Sequence, residues 1–350
     1  MKTGANLPTT AIGSLPHHNV DAALEYSFRL GVPFLPQIPI RNPWEYMIAQ
    51  ALEGLPGLQV ERDGEVKLGF DVWKTRAEAF QKRLDEALAD PANDAFESFE
   101  PSAASSSCWQ PFVWELSERG VRRAKVQIAG PLTSQWALRL QDGTPADRHP
   151  DLTRQIFRLV LARGIAMIRR LKSAGASPVL YLDEPGLYAF SASNPRHLVA
   201  LQELKLLVQS LRKEGAQVGV HCCSDTDWSA VLGLGIDYLS IDAGLSLRGL
   251  LQVRYEQSLT QFLERGGNLS LGVIPTSRLA SYAPSAHSIL ADLLEAFASS
   301  PAWAGKPEAV KRILRGALFT PACGLALSTI ADAELVLNVL NEFAQAAGRA

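Results

Sequence analysis

The sequence predicts a (β/α)8 barrel of the TIM type, occupying residues 1–350 as one domain, with a small hairpin-and-helix excursion near its start. Three observations carry the prediction. Short β-like runs alternate with longer helical patterns. About eight such runs occur, with no Gly/Ser-rich linker among them. Residues that carry chemistry fall at the C-terminal ends of the runs, the face on which such barrels keep their sites. A doubly wound open sheet is the other α/β solution, but no G-x-G-x-x-G follows the first run.

The elements follow in chain order. "PTTAIGS" (8–14) reads as the first strand. The segment 19–31 is helical, with Asn19 as N-cap and Gly31 as stop. "VPFLPQIPI" (32–40) is a second strand, broken by prolines near its end, and a helix follows over 43–54. Residues 58–71 form a hairpin turning at Asp63-Gly64. Helices are expected over 73–90 and 105–119, with "PSAASSS" (101–107) as a surface loop. Strands are expected at 123–130, 178–185, 217–222, 237–242, 268–275 and 316–323. Helices over 151–175, 196–214, 277–299 and 329–347 separate most of them.

Bulk properties exclude several classes. At 47% hydrophobic, 350 residues can bury a large core. A formal net charge of -2 provides no basic field for nucleic acid or anionic lipid. "MKTGANLPTT" lacks the apolar segment of a secretory leader, and no apolar run reaches membrane-spanning length, so no membrane partner is expected. Four cysteines, two of them adjacent, do not form a disulfide framework. A reduced, cytoplasmic enzyme is the expectation.

The strand ends read "IGS" (12–14), "AGP" (129–131), "DEP" (183–185), "HCC" (221–223), "SID" (240–242), "VIP" (273–275) and "PACG" (321–324). In extended chain, residues i and i+2 point the same way. His221 and Cys223 can therefore share one ion, while Cys222 turns into the wall. Cys323 ends the last strand, and Asp242 ends the strand after the His-Cys pair. His, Cys, Cys and a carboxylate form a zinc-type donor set. The competing readings are small buried cysteines, preferred for Cys222 and Cys108, and a helix N-cap for Asp242. Two thiolates and a carboxylate would make Zn²⁺ a poor Lewis acid for hydrolysis. Such an ion would still hold an incoming thiol deprotonated. Alkyl transfer to a thiol fits this chemistry better than water activation.

Beyond these readings, the sequence resembles the catalytic C-terminal barrel of cobalamin-independent methionine synthases. The resemblance rests on "TTAIGSLP" (9–16), "GPLTSQW" (130–136), "YLDEPGL" (181–187), "HCC" with "DYLSID" (237–242), and "TPACGLALST" (320–329), all in order. The wider superfamily includes uroporphyrinogen decarboxylase-like proteins. The resemblance implies a zinc-dependent methyltransferase, with His221, Cys223 and Cys323 at family ligand positions. Asp242 falls where the family has the longer Glu. Ile12, Gly13 and Ser14 match the segment holding the acceptor's carboxylate, and Asp183 matches the group holding its ammonium. No role is assigned to Glu184.

The departures bear on both substrates. The family's Gly-Glu after the second strand is replaced by "PQIPIRNP" (36–43), with Gln37 or Ile38 in the ammonium region. "GVIPTSRLAS" (272–281) lacks the family's Asp and His, and His287 is expected within the next helix. The family's basic residues after the distal Cys motif are missing, and its N-terminal barrel is absent from these residues. The implied partners are a thiol acceptor such as homocysteine and a methyl donor: folate, a methylcorrinoid or a corrinoid protein. Trp136 is read as core, with stacking on a planar donor as the alternative. His17 and His18 read as solvated loop residues, and Arg41 as a rim cation. Two rivals stand beside the methyltransferase: a metal-free decarboxylase with arginines at the mouth, and a non-catalytic barrel binding a thiol or a corrinoid protein.

Overall fold

The computed structural model describes residues 7–89, 94–276 and 285–347. Nine strands are assigned among them. A small sheet joins β1 (Leu58–Val60), β2 (Val66–Leu68) and β4 (Arg139–Leu140). The main sheet joins β3 (Arg123–Ala129), β5 (Ser177–Asp183), β6 (Gln217–Cys222), β7 (Tyr238–Asp242), β8 (Asn268–Ile274) and β9 (Leu318–Pro321), in that order and all parallel. The chain is thus an α/β protein built on a curled parallel sheet.

This corrects the expected closed eight-stranded barrel. Residues 8–14 and 32–40 form no regular strand. They cross the open side of a six-stranded half-barrel through single bridges, Thr9 to Phe319, Ser14 to Gln37 and Phe34 to Lys125. The reason is local: Pro8, Pro33, Pro36 and Pro39 have no N–H to donate to a ladder. Individual bonds survive between them, such as Leu35 N–H to the Lys125 carbonyl at 2.9 Å and Val32 N–H to Thr9 at 2.8 Å.

The six regular strands appear where sequence alternation put them, because strands buried on both faces read as apolar runs. Their outward rows, including Val126, Ile128, Leu180, Leu182, Val220 and Leu271, join the large core beneath the helices. Each such buried side chain contributes about 1.5–3 kcal/mol relative to exposure. Their inward rows form a separate cluster of Val32, Val179, Tyr181, Tyr238 and Leu318. Asn19 caps the first helix, Val20–Phe28, by accepting from Asp21 and Ala22 N–H. The hairpin is present, and the long helices Phe70–Ala89, Pro150–Ser173, Pro195–Lys213 and Ile330–Ala347 match expectation within a few residues. The expected 43–54 helix is a 3-10 turn, Pro43–Glu45, followed by Met47–Ala51. The expected 105–119 helix is shorter, Trp109–Glu118. Residues 277–284 of the expected 277–299 helix lie outside the described residues, and the remainder is Ala286–Ala298. Helices Pro131–Ala137 and Trp228–Leu232 are too short to be read from pattern, whereas Ala243–Leu250, Glu256–Glu264 and Pro307–Gly316 are amphipathic and add to those expected from the sequence. Among the described residues, no helix is long and apolar enough to cross a membrane.

Candidate metal centre

The end of β6 and the turns after β6 and β9 bring three donors together. Ligand atoms of His221, Cys223 and Cys323 all lie within 4.8 Å of one another. Strands in a flat sheet are spaced about 4.8 Å apart, so β6 and β9, three steps apart, would be separated by about 14 Å. The curl of the sheet closes that gap. His221 is buried and both cysteines are half-buried. The two thiols act as one unit. Hydrogen bonds from the Cys323 thiol and from His221 push Cys223 toward the thiolate. Cys323, which supplies the proton for that bond, is pushed up.

One nitrogen and two sulfurs, pre-assembled with a shared thiolate, fit a zinc ion and leave one of its four positions free. Asp242 is not part of the converging set among the described residues. Its Oδ1 accepts from Leu245 N–H at 3.1 Å and caps helix Ala243–Leu250. Burial raises its carboxyl above the usual range, and the charge of Cys223 adds to that rise. Cys222 and Cys108 are fully buried, and burial pushes both thiols up to about 12, so neither is a ready nucleophile.

The predicted acceptor residues surround this cluster. Asp183 sits directly across the β5–β6 ladder from His221. It is 6% exposed, and its Oδ1 has no hydrogen-bond partner among the described residues. Burial raises its carboxyl to about 6, against the opposing pull of His221 and Lys125. Ser14 lies against the Cys323 loop: Leu325 N–H donates to its carbonyl at 2.9 Å, and a Cβ on Gly324 would fall 2.2 Å from its Oγ. Ile12 and Gly13 are buried, with the Ile12 carbonyl accepting from Lys125 Nζ at 2.7 Å. Gln37 is tied to Gln50 at 2.7 Å, and Ile38 is fully buried.

Sequence reasoning missed Lys125. It is fully buried, bonded to Ile12 and Gln127, and lies 4.7 Å over the Tyr181 ring. Burial lowers it to about 8, opposed by Asp183. Lys125 and Gln127 are polar at alternate positions inside a strand that should read as continuously apolar. That was the available signal. His17, expected to be solvated, is 2% exposed and lies 3.5 Å from Glu334. His18 and Arg41 are exposed, and His287 is exposed in its helix.

Glu184 is structural in its contacts. It is fully buried and accepts from Leu132 N–H, Thr133 N–H and the Thr133 hydroxyl at 3.0, 2.6 and 2.6 Å. Burial still raises it to about 7. The carboxylate packs so tightly on Gly130 that a Cβ there would fall 2.1 Å from its Oε1. Gly130→Ala is expected to displace it and cost about 1–3 kcal/mol, read as a lower midpoint in denaturant unfolding. Beside this anchor, beyond the ends of β3 and β5, lies a cavity of about 520 Å³. Trp136, Tyr188, Arg139, Arg148, Arg196 and His197 line it, and the half-buried Trp136 ring packs 4.8 Å from that of His197.

No known family model matches the chain, and no curated protein matches it. Similar solved structures include a B12-independent methionine synthase from a Shewanella species, in complex with selenomethionine. It shares 16% identity over 68% of this chain and 67% of that one, with a TM-score of 0.44. Another is a glycoside hydrolase family 5 enzyme from Prevotella bryantii in complex with a xyloglucan tetradecasaccharide. It shares 8% identity over 67% of this chain and 86% of that one, with a TM-score of 0.28. At these levels neither likeness bears on function.

Proposed function

We propose that this chain is a metal-dependent thiol alkyltransferase, acting as a single catalytic domain in a reducing cytoplasmic setting. More particularly, it is a zinc-dependent methyltransferase acting on homocysteine or a close analogue, in the manner of a cobalamin-independent methionine synthase. The observation that carries the reading is the convergence of His221, Cys223 and Cys323 at one strand-end face. Zinc bound there would hold the acceptor thiol as thiolate in the position that the three residues leave free, and Asp242 would reach the ion only by giving up the Leu245 N–H.

The chain's own residues would do the positioning. The unpartnered, buried Asp183 Oδ1 suits the acceptor's ammonium. The Ile12–Ser14 segment, with Ser14 at the Cys323 loop, suits its carboxylate. The acceptor sulfur attacks the methyl carbon in line. A sulfur–carbon bond forms as the donor's bond to that carbon breaks, and the electron pair leaves with the donor. Orientation supplies much of the rate in such a transfer. The Trp136 cavity offers an aromatic face and guanidinium groups to a donor of the folate, methylcorrinoid or corrinoid-protein type.

One observation favours a second reading. Arg139, Arg148 and Arg196 line that cavity beside Asp147, which lies 4.0 Å from Arg196, and would suit the substrate carboxylates of a metal-free decarboxylase. A single experiment separates the readings. The chain is purified without added metal, assayed for zinc, and offered homocysteine with methyltetrahydrofolate, methylcobalamin and a methylated corrinoid protein in turn. About one zinc per chain and methionine formation with one donor are expected. Zinc without turnover would leave a binding barrel, and refusal of zinc would sink the methyltransferase.

A further inference from the structure

The inward face of the sheet departs from the usual filling of a barrel interior. Such interiors are packed with branched apolar side chains. Here Val32, Val179 and Leu318 follow that rule around Tyr181 and Tyr238. The neighbouring inward positions do not. Lys125 and Gln127 on β3, Ser240 on β7, Ser270 on β8 and Thr320 on β9 are all fully buried, as is Thr10 on the bridged segment. A polar band therefore runs beneath the candidate metal centre.

One member of this band touches a candidate ligand. Ser240 Oγ lies 3.0 Å from His221 Nδ1, and the β6–β7 register sets the two residues opposite each other. The contact occupies one ring nitrogen and leaves Nε2 for an ion shared with the cysteines. A serine hydroxyl can accept from Nδ1–H and send its own proton elsewhere. Across the β7–β8 register Ser240 faces Ser270, another band member. Ser270 Oγ has no hydrogen-bond partner among the described residues. With an ion on Nε2 the neutral ring keeps its proton on Nδ1, and the Ser240 hydroxyl accepts from it.

From this geometry we infer that Ser240 is a positioning residue for the metal centre: its hydroxyl holds His221 in the Nδ1–H form and aims Nε2 at the site shared by Cys223 and Cys323. Groups that hold a ligating imidazole in this way fix its tautomer and ring orientation, and their loss commonly weakens metal binding 10- to 100-fold. The inference rests on the metal reading proposed above. It gives a role to a residue outside the ligand set.

The test is zinc affinity, measured by chelator competition on the full chain stripped of metal. Ser240→Ala is expected to weaken zinc by about 10–100-fold. Ser240→Thr and Ser240→Val are matched in shape and differ in the hydroxyl, so Thr should stay within about threefold of the parent while Val falls with Ala. Ser270→Ala, which opens the same interior without touching His221, should leave affinity unchanged. Cobalt-substituted protein gives a second readout: its visible bands should hold in Ser240→Thr and shift in Ser240→Val. Equal zinc affinity in the Thr and Val variants would overturn the inference while leaving the metal centre standing. Loss in Ser270→Ala equal to that in Ser240→Ala would also overturn it, because the effect would then be general loosening. A parent chain that takes up no zinc would overturn both readings.

Discussion

Cys323→Ser should strip the chain of zinc. The parent is expected to carry about one zinc per chain after purification without added metal, and the variant to bind it at least about a hundredfold more weakly. The size of the effect follows from what is lost. Cys323 is one of three donors whose ligand atoms lie within 4.8 Å of one another. Serine keeps nearly the same volume but offers an alcohol in place of a thiol whose proton is already shared with Cys223. A change at an ordinary half-buried cysteine would leave metal content untouched. Cys222→Ser is the control on the same turn: Cys222 is fully buried, and its thiol donates to the Ser224 carbonyl at 3.2 Å. It should retain zinc. Mass spectrometry of metal content decides the matter, and equal zinc in parent and Cys323→Ser would remove the distal strand end from the site.

Gly13→Ala should damage the acceptor segment and the fold together. A Cβ at Gly13 would fall 2.4 Å from Gln127 Nε2 and 2.9 Å from Gln37 Oε1, at a φ of +154° that side-chain-bearing residues rarely adopt. Neither neighbour can yield cheaply. Gln127 Nε2 donates to the Leu35 carbonyl at 2.8 Å, its Oε1 accepts from Lys125, and Gln37 donates to Gln50. Overpacking and backbone strain together should cost about 2–5 kcal/mol. In a chain of this length that lowers Tm by roughly 3–7 °C. Relief by shifting the segment would carry Ser14 away from the Cys323 loop. The Kd for the thiol acceptor should then rise more than that for a thiol lacking the α-carboxylate. Calorimetry and acceptor titration check the two halves, and a variant with parental Tm would show that the amides yield after all.

Much of the site was legible because its signals are local. His221 and Cys223 share a direction through the two-residue period of extended chain, and Cys222 is buried by the same rule. The burial of Cys222 and the placement of His287 inside a helix followed from pattern alone. Asp242 had two local readings. The structure shows the capping contact in place, while the carboxyl remains close enough to feel the Cys223 charge. His17 was misread because nothing in its neighbours reveals that Glu334, more than three hundred residues away, packs beside it. Lys125 was passed over although a lysine inside "AKVQIAG" contradicts a fully apolar strand.

By itself the sequence determined the α/β class, the six regular strands, most of the long helices and the three residues whose ligand atoms converge. Each of these depends on periodicity or residue type over a few neighbouring positions. Only the tertiary structure decided that the proline-rich segments cross the open side of the half-barrel by single bridges instead of ladders, since they had first to be placed beside β9 and β3. It also decided that Cys323 meets Cys223 across three inter-strand steps, that Ser240 holds the far side of the His221 ring, and that Lys125 grips the Ile12 carbonyl. These are contacts between residues distant in sequence. They are set by sheet curvature and strand register, which are properties of the whole packed core and leave no mark on any short stretch of chain.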